Sequence, residues 1–487
     1  MPDVVTTAVA PAIVMPAPQY QLGSGVAPAT RRLLVAAALL VGDLATLTIV
    51  VAILQLSARI AAPGAEPGIP ELMPVWILAL CGALAGFGLY GSERAEPVDR
   101  LRRRTLGNLI AAMIVIAWAV IGKRPGALTG IVAIGAVLMV ALGYYVEALV
   151  RSGLLRRGFW AAPAVLYGTS PTCAALARHL ALRPELGLRP VAILADDDAR
   201  PLAEAGLPVI PCGQAGIIAQ RVEVALCASG DLPADKESWL ERLPVRKIVM
   251  VHDASALQLL TPRMRVIGGL LGFERHSAIH SPRNLRLKRL MDLVLAIPLA
   301  VLAAPAIVML ALAVKAADPG PAFYAQPRIG RNGRIFKVYK LRSMYADAEA
   351  RLTAHLDADP AARQEWERFF KLGNDPRILP RIGRFIRRSS HDELPQLWNV
   401  LRGEMSIVGP RPFPAYHNQR FDPAFQVLRT SVPPGLTGLW QVSERSDGDL
   451  AVQKRQDSFY IHNWSFWLDL YVLLQTVPAV LLARGAR

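Results

Sequence analysis

Asp392 and Glu393 stand side by side in the run Arg387-Arg388-Ser389-Ser390-His391-Asp392-Glu393-Leu394-Pro395-Gln396-Leu397. Adjacent residues on a helix diverge by about 100°. One carboxylate can therefore face a reacting phosphorus while its neighbour faces a metal ion. A carboxylate can act as a covalent nucleophile, as in enzymes that pass through an aspartyl phosphate. One or two carboxylates together with substrate phosphates are the usual ligands of Mg2+. Arginine supplies a planar, permanently charged fork for phosphate oxygens. Three further blocks share this part of the chain: Tyr339-Lys340-Leu341-Arg342-Ser343-Met344, Val408-Gly409-Pro410-Arg411-Pro412, and Pro434-Gly435-Leu436-Thr437-Gly438-Leu439-Trp440-Gln441-Val442. The Gly-Pro-Arg-Pro turn is a rigid backbone holding one more arginine. Together these residues suit phosphoryl transfer. An isolated Asp-Glu pair more often caps or decorates a helix. The arginines, prolines and glycines around this one, just after an apolar segment, set it apart.

The rest of the chain must carry this site. It has 487 residues, 53% of them hydrophobic, with a mean hydropathy of +0.32, which points to several units and to membrane segments. Lys and Arg number 54 against 38 Asp and Glu, a net charge of +16. A basic membrane protein suits anionic lipid headgroups or phosphorylated substrates. Nucleic acid is not expected, because no basic, aromatic-interleaved stripe stands apart from the apolar runs. Cys81, Cys173, Cys212 and Cys227 form neither a CxxC pair nor a Cys/His cluster, so no zinc site or disulfide framework is expected. Residues 1–30 are rich in Ala, Pro and Val and read as a disordered lead-in.

Four apolar runs follow within 31–155: Leu33–Leu54, Leu72–Tyr90, Leu106–Ile121 and Leu128–Val150. Each is near the ~20 residues that cross a bilayer. Arg31 and Arg32 precede the first run, Arg100 and Arg102 to Arg104 lie between the second and third, and Arg151, Arg156 and Arg157 follow the fourth, all on one side of the membrane. The positive-inside rule places the N-terminus and everything after Val150 in the cytoplasm. Asp43, inside the first run, is open to two readings: an ion site or an interhelical partner. Over 161–275 short apolar strands alternate with helix, a βαβ rhythm that predicts a Rossmann-like cytoplasmic domain. Its first loop, Gly168-Thr169-Ser170-Pro171, has one glycine where a dinucleotide site wants three. Asp196 to Asp198 therefore read as a solvated turn, and the domain as structural or regulatory.

The last part, 283–487, opens with Arg283, Arg286, Lys288 and Arg289, then an apolar run from Leu293 to Val314 closed by Lys315. Basic residues at both ends and Pro305 near the middle predict a kinked, re-entrant helix that returns to the cytoplasmic side. The segment Trp464–Leu482 suits either the membrane interface or packing on the catalytic core.

These blocks resemble the bacterial sugar transferases, the monotopic polyprenyl-phosphate hexose-1-phosphate transferases, from about Arg286 to the C-terminus. Asp392–Leu397, Ser406–Pro412 and Pro434–Val442 follow that pattern in order and spacing. The stretches Asp359–Glu367, Asn374–Arg377 and Asn463–Ser465 are most like those of its undecaprenyl-phosphate galactose phosphotransferase branch. The resemblance implies four transmembrane helices, a Rossmann-like domain and a monotopic catalytic domain anchored by a re-entrant helix with its break at Pro305. It implies Asp392 as nucleophile and Glu393 as Mg2+ ligand, with Arg387 and Arg411 on phosphates. Lys340, Arg342 and Asp457 would be substrate-binding residues near the site. The implied substrates are a UDP-hexose, galactose or glucose, and undecaprenyl phosphate; UMP would leave and an aspartyl phosphosugar would form on the way. This would begin exopolysaccharide, capsule or O-antigen synthesis at the bacterial inner membrane, in contact with membrane lipids and as a homodimer. Three departures stand out: Ala304 replaces a serine before Pro305, His391 replaces an apolar residue, and Glu444 replaces a glycine. Two other classes compete. A membrane-bound NAD-dependent nucleotide-sugar dehydratase would need a glycine-rich loop and a Tyr-x-x-x-Lys pair, both lacking. A non-catalytic scaffold would not need Asp392, Glu393, Arg387 and Arg411 together.

Overall fold

A computed structural model of the chain describes residues 28–481 except 64–67, 92–95, 124–126, 169, 184–185, 196–206, 212–221, 229–246, 252–262, 268–269, 275–278, 280, 370–371, 373–374 and 444–449. Asp196 to Asp198, Cys212 and Glu444 thus lie outside the described residues. The chain divides into two compact units, Met1–Asp253 and Ala254–Arg487.

The first unit begins with the helices α1 (Pro28–Ala61), α2 (Met73–Gly86), α3 (Pro97–Ile121) and α4 (Ala127–Arg156). Three of them, α1, α3 and α4, are long and apolar enough to cross a membrane. The run expected to be the second span differs. Helix α2 has 14 residues, or roughly 21 Å at 1.5 Å per residue, against a hydrocarbon core of about 30 Å. It stops because Gly86 is followed by Gly88 at φ +70°, a left-handed turn that a helix cannot continue through. Leu47, Trp76, Leu80, Leu84, Val115 and Met139 are buried between these helices.

Asp43 proves to be an interhelical partner. Arg104 donates to Asp43 Oδ1 (2.6 Å) and Glu147 Oε2 (2.8 Å), and Arg100 to Glu147 Oε1 (2.6 Å). Two arginines and two carboxylates cancel, which is how charge persists among apolar helices. Gly143 makes the room, since a Cβ there would come within 2.9 Å of Arg104 Nη1.

Past the helices, β1 (Ala162–Tyr167), β2 (Leu188–Leu194), β3 (Val209–Ile210), β4 (Val224–Ala228) and β5 (Lys247–Val251) form an all-parallel sheet in the order β3-β2-β1-β4-β5. This order occurs in doubly wound α/β sheets. Helix α5 (Pro171–Leu182) follows β1, its first turn capped by Ser170, which accepts from the Cys173 amide at 3.2 Å.

In the second unit, β6 (Arg263–Ile267) and β7 (Leu270–Glu274) pair antiparallel with each other. The long helix Pro282–Ala317 follows, 36 residues with both Pro298 and Pro305 inside it. The helix is not interrupted at Pro305. It too is long and apolar enough to cross a membrane, and Leu299, Val301, Leu302, Val308, Met309 and Leu312 are exposed along it. Yet its start and its end meet the same unit. Val314 is buried with Leu341, Leu379 and Ile386. At the other end, Lys288 donates to the Val408 carbonyl (2.8 Å) and pairs with Asp469 (2.7 Å). Arg289 donates to the carbonyls of Val400 (2.5 Å) and Leu401 (2.7 Å). Asp292 accepts from Ser406 Oγ (2.8 Å) and the Ile407 amide (2.9 Å).

The remaining elements hang from this helix. Strands β8 (Phe323–Ile329) and β9 (Ile335–Leu341) form an antiparallel hairpin in which Tyr324 faces Lys340. Strands β10 (Ser406–Val408) and β11 (Gly435–Thr437) are parallel. They close so tightly that a Cβ on Gly435 would lie 2.1 Å from the Gly409 nitrogen; the glycines of the Val-Gly-Pro-Arg and Pro-Gly-Leu-Thr-Gly blocks serve that approach. The helix Phe466–Leu481 buries Leu468, Asp469 and Val472, so this segment packs on the core over that stretch.

Candidate active site

The helix Ile382–Arg388 ends at Ser389, and Ser390 then takes the left-handed conformation (φ 58°, ψ 21°). That turn starts a short 3-10 helix, His391–Glu393. His391 Nδ1 lies 2.5 Å from Ser389 Oγ, and its ring stacks on Phe385 at 5.6 Å. His391 thus steadies the turn, and its described contacts involve neither carboxylate.

The two carboxylates do not face apart. Lys340, on β9, reaches Asp392 Oδ2 at 3.3 Å and Glu393 Oε1 at 2.9 Å. Arg411, from the turn after β10, donates through Nη2 to Glu393 Oε1 at 2.7 Å. Two acids and two cations form one neutral cluster, and the carboxylate side chains keep only 18% and 19% of their exposure. Burial pushes the Asp392 carboxyl above its ordinary range; Lys340 pulls it down less than burial raises it, and Glu393 adds to the rise. Burial also works on Glu393, but Arg411 and Lys340 outweigh it and hold that carboxyl at about 2. The adjacent acids are thereby set apart, Glu393 as a fixed anion and Asp392 as the one whose charge is easier to relinquish.

The other expected residues are distributed around this cluster. Arg387 sits half-buried in the last turn of Ile382–Arg388 and has no ion-pair partner among the described residues. Arg342 does not reach the acids; it is buried and bound to the side chain and the carbonyl of Asp318, fixing the turn after the long helix. Asp457 does not reach them either. It pairs with Arg429 at 2.9 Å, and Arg429 donates in turn to the carbonyl of Arg411. Asp457 is therefore linked, through Arg429, to the backbone that carries Arg411. Arg429 also lies 3.9 Å over the Phe413 ring, which stacks on the His417 ring at 4.0 Å and on Phe421 at 6.1 Å.

Arg429, Lys288 and Asp292 are supports that the sequence reading passed over. Lys288 read as part of a basic membrane flank, yet it is buried beneath β10, three residues before Arg411. Its spacing of four from Asp292, at the edge of an apolar run, is the one signal that a helix face was turned inward.

Beside the acids an open cavity of about 360 Å³ is lined by Ala300, Ala304, Ile307 and Val308 of the long helix and by Phe323, Tyr339, Leu394, Pro395, Leu397, Trp398 and Leu401. Its lining is almost wholly apolar, and Leu394 and Pro395 follow Glu393 directly. Ala304, where a serine was expected, contributes to that wall. Among the described residues no three His, Cys, Asp or Glu side chains gather as a metal cage. Asp392 and Glu393 each retain one oxygen without a hydrogen-bond partner among the described residues. That donor set suits a hard divalent cation completed by water and substrate phosphates.

A clustered charge site beside an apolar wall, on a helix long and apolar enough to cross a membrane, suits an enzyme acting at a membrane. The profile of the bacterial sugar transferase family matches residues 283–483. The UDP-galactose-lipid carrier transferase of Erwinia amylovora is 35% identical over 361 residues, covering 72% of this chain and 74% of that protein. The undecaprenyl-phosphate galactose phosphotransferase of Salmonella typhimurium LT2 is 41% identical over 257 residues, 51% of this chain and 52% of that one. The UDP-glucose:undecaprenyl-phosphate glucose-1-phosphate transferase of Escherichia coli K12 is 35% identical over 237 residues, 47% and 48% of the two chains. The chain belongs to the bacterial sugar transferase family.

Proposed function

We propose that this phosphoglycosyl transferase moves hexose-1-phosphate from a UDP-hexose, galactose or glucose, to undecaprenyl phosphate and releases UMP. The observation that carries this reading is the closed cluster of Asp392, Glu393, Lys340 and Arg411 beside an apolar cavity walled by the long helix. An Asp392 oxygen attacks the sugar-bearing phosphorus, the bond to the bridging oxygen breaks, and that oxygen leaves with UMP. A phosphate oxygen of undecaprenyl phosphate then attacks the same phosphorus, and the Asp392 carboxylate departs unchanged. One carboxylate used twice implies ping-pong kinetics. Glu393 would hold Mg2+, which when bound offsets the charge of the diphosphate. Arg411 and Arg387 hold phosphate oxygens, and the apolar cavity takes the first isoprenoid units of the acceptor. The long helix meets its own unit at both ends, through Lys288, Arg289 and Asp292 and through Val314. That supports entry and exit on one face of the inner membrane, the cytoplasmic face where UDP-sugars are available. The parallel sheet of the first unit is read as a Rossmann-like cytoplasmic domain. The product would start an exopolysaccharide, capsule or O-antigen chain.

The test is UMP release by purified full-length protein with Mg2+ and undecaprenyl phosphate, from UDP-galactose and UDP-glucose in parallel. Lipid-dependent release from one sugar is expected, with none from a folded Asp392→Asn variant. Full turnover by that variant would remove the nucleophile assignment.

A further inference from the structure

Lys340 stands apart from the other cations around the acids. Its ammonium touches both carboxylates at once, at 3.3 and 2.9 Å. The backbone beneath it is fixed by pairing with Tyr324 and by the buried Leu341. Its own side chain is a point charge on a flexible stem. Arg411, by contrast, is gripped at its carbonyl by Arg429. Arg342, just past the end of β9, is bound to Asp318 and cannot take over.

We propose that Lys340 is a resident counter-ion of the acidic pair, holding the place of a divalent cation until the nucleotide sugar arrives, so that metal and diphosphate bind together. This rests on the phosphoryl-transfer reading of the site. The argument is one of charge. Lys340 and Arg411 balance Asp392 and Glu393. A dication added alone leaves two uncompensated positive charges in a partly buried site, where they repel more strongly than in water. The diphosphate diester of a UDP-hexose brings the two negative charges that restore neutrality, and UDP, with its terminal phosphate, brings at least as many. It also gives the Lys340 ammonium oxygens to move to, freeing the carboxylates.

The probes are Mn2+ and UDP, titrated into the purified full-length protein in detergent, with free Mn2+ read by electron paramagnetic resonance. The wild type is expected to bind Mn2+ weakly by itself and to bind UDP at least about tenfold more tightly when Mn2+ is present. Lys340→Met keeps the aliphatic stem and removes the charge, so it should bind Mn2+ alone at least about tenfold more tightly than the wild type and lose most of the coupling to UDP. Lys337→Ala, exposed on the opposite face of β9, should match the wild type. Mn2+ binding by Lys340→Met that is no tighter than in the wild type overturns the proposal. Should that variant not fold, UDP affinity in the wild type that is indifferent to Mn2+ overturns it equally. A protein that shows the Mn2+ effects but releases no UMP from any UDP-hexose tells against the transfer reading and leaves the counter-ion in place. UMP release without the Mn2+ effects does the reverse.

Discussion

Asp457→Asn separates a support from a substrate contact. Asp457 and Arg429 are each only 6% exposed, so water cannot replace what either loses. Removing one partner of a buried pair costs about 3–5 kcal/mol, mostly through the charge left behind. Asparagine keeps an acceptor oxygen for Arg429 Nε, so a loss near 3 kcal/mol is expected at the lower end of that range. The second effect travels through Arg429, whose other amino group holds the Arg411 carbonyl. With Arg429 loosened, the Arg411 turn shifts against Glu393. A displacement of about 1 Å in a positioned group costs up to about 100-fold in rate, so kcat should fall about 10- to 100-fold. The assay is UMP release against UDP-hexose concentration, alongside thermal unfolding in detergent. Arg429→Lys gives the complementary cut: it keeps a charge for Asp457 but loses the fork that reaches Arg411, so stability should suffer less than kcat. A raised KM with unchanged kcat in Asp457→Asn would refute this reasoning and return Asp457 to direct contact with substrate.

Two further outcomes are expected. Burial, with smaller contributions from Arg429 and Arg420, holds the His417 imidazole below its ordinary pKa, although the Gln453 side chain works in the opposite direction. The folded protein therefore keeps His417 neutral where the unfolded chain, with a pKa of about 6.5, takes up a proton. Its contribution to stability is full above about pH 6.5 and declines as the pH falls below it. Thermal unfolding at pH 7 and pH 5 should accordingly show a smaller drop for His417→Gln than for the wild type; equal drops would dismiss the effect. Single cysteines at Leu287 and at Lys315, in a background lacking the native cysteines, should label from the same side of inverted membrane vesicles. Labelling from opposite sides would make the long helix a span.

The sequence made the candidate site legible because its groups are consecutive or lie in short blocks: Asp392 with Glu393, and Arg411 between two prolines. It also made the long apolar runs legible, since length and hydropathy are local. What it could not supply were pairings between distant residues. Asp43 stayed ambiguous because its partner, Arg104, is 61 positions away on another helix. Asp457 looked like a substrate ligand because nothing near it in sequence revealed Arg429, 28 residues earlier. The divergence of about 100° expected for Asp392 and Glu393 assumed ordinary helix. In the structure both acids lie in a 3-10 turn that starts after the left-handed Ser390, and one lysine gathers both side chains. Helix α2 came out short because Gly88 at positive φ ends it inside a run whose hydropathy continues.

The long helix ties an exposed apolar face and a charge cluster into one unit. Its first turns present Lys288, Arg289 and Asp292 to the backbone at Val408, at Val400 and Leu401, and at Ser406 and Ile407. Those strands and turns lead into Arg411 and out of Glu393. Its middle turns give Ala300, Ala304, Ile307 and Val308 to the apolar cavity, while other side chains from Leu299 to Leu312 remain uncovered. If that uncovered face meets a membrane, as proposed, a substitution there alters attachment and leaves the cluster's geometry intact. One at Lys288 would strip the Val408 carbonyl and the buried Asp469 of their shared cation and disturb Arg411 without touching the membrane. On the proposed reading the arrangement has a functional reason. The acceptor's phosphate is charged and its chain is insoluble in water, so the nucleophile must sit where a lipid headgroup already lies. Anchoring the Arg411 turn and the cavity wall to the same helix sets that level for both.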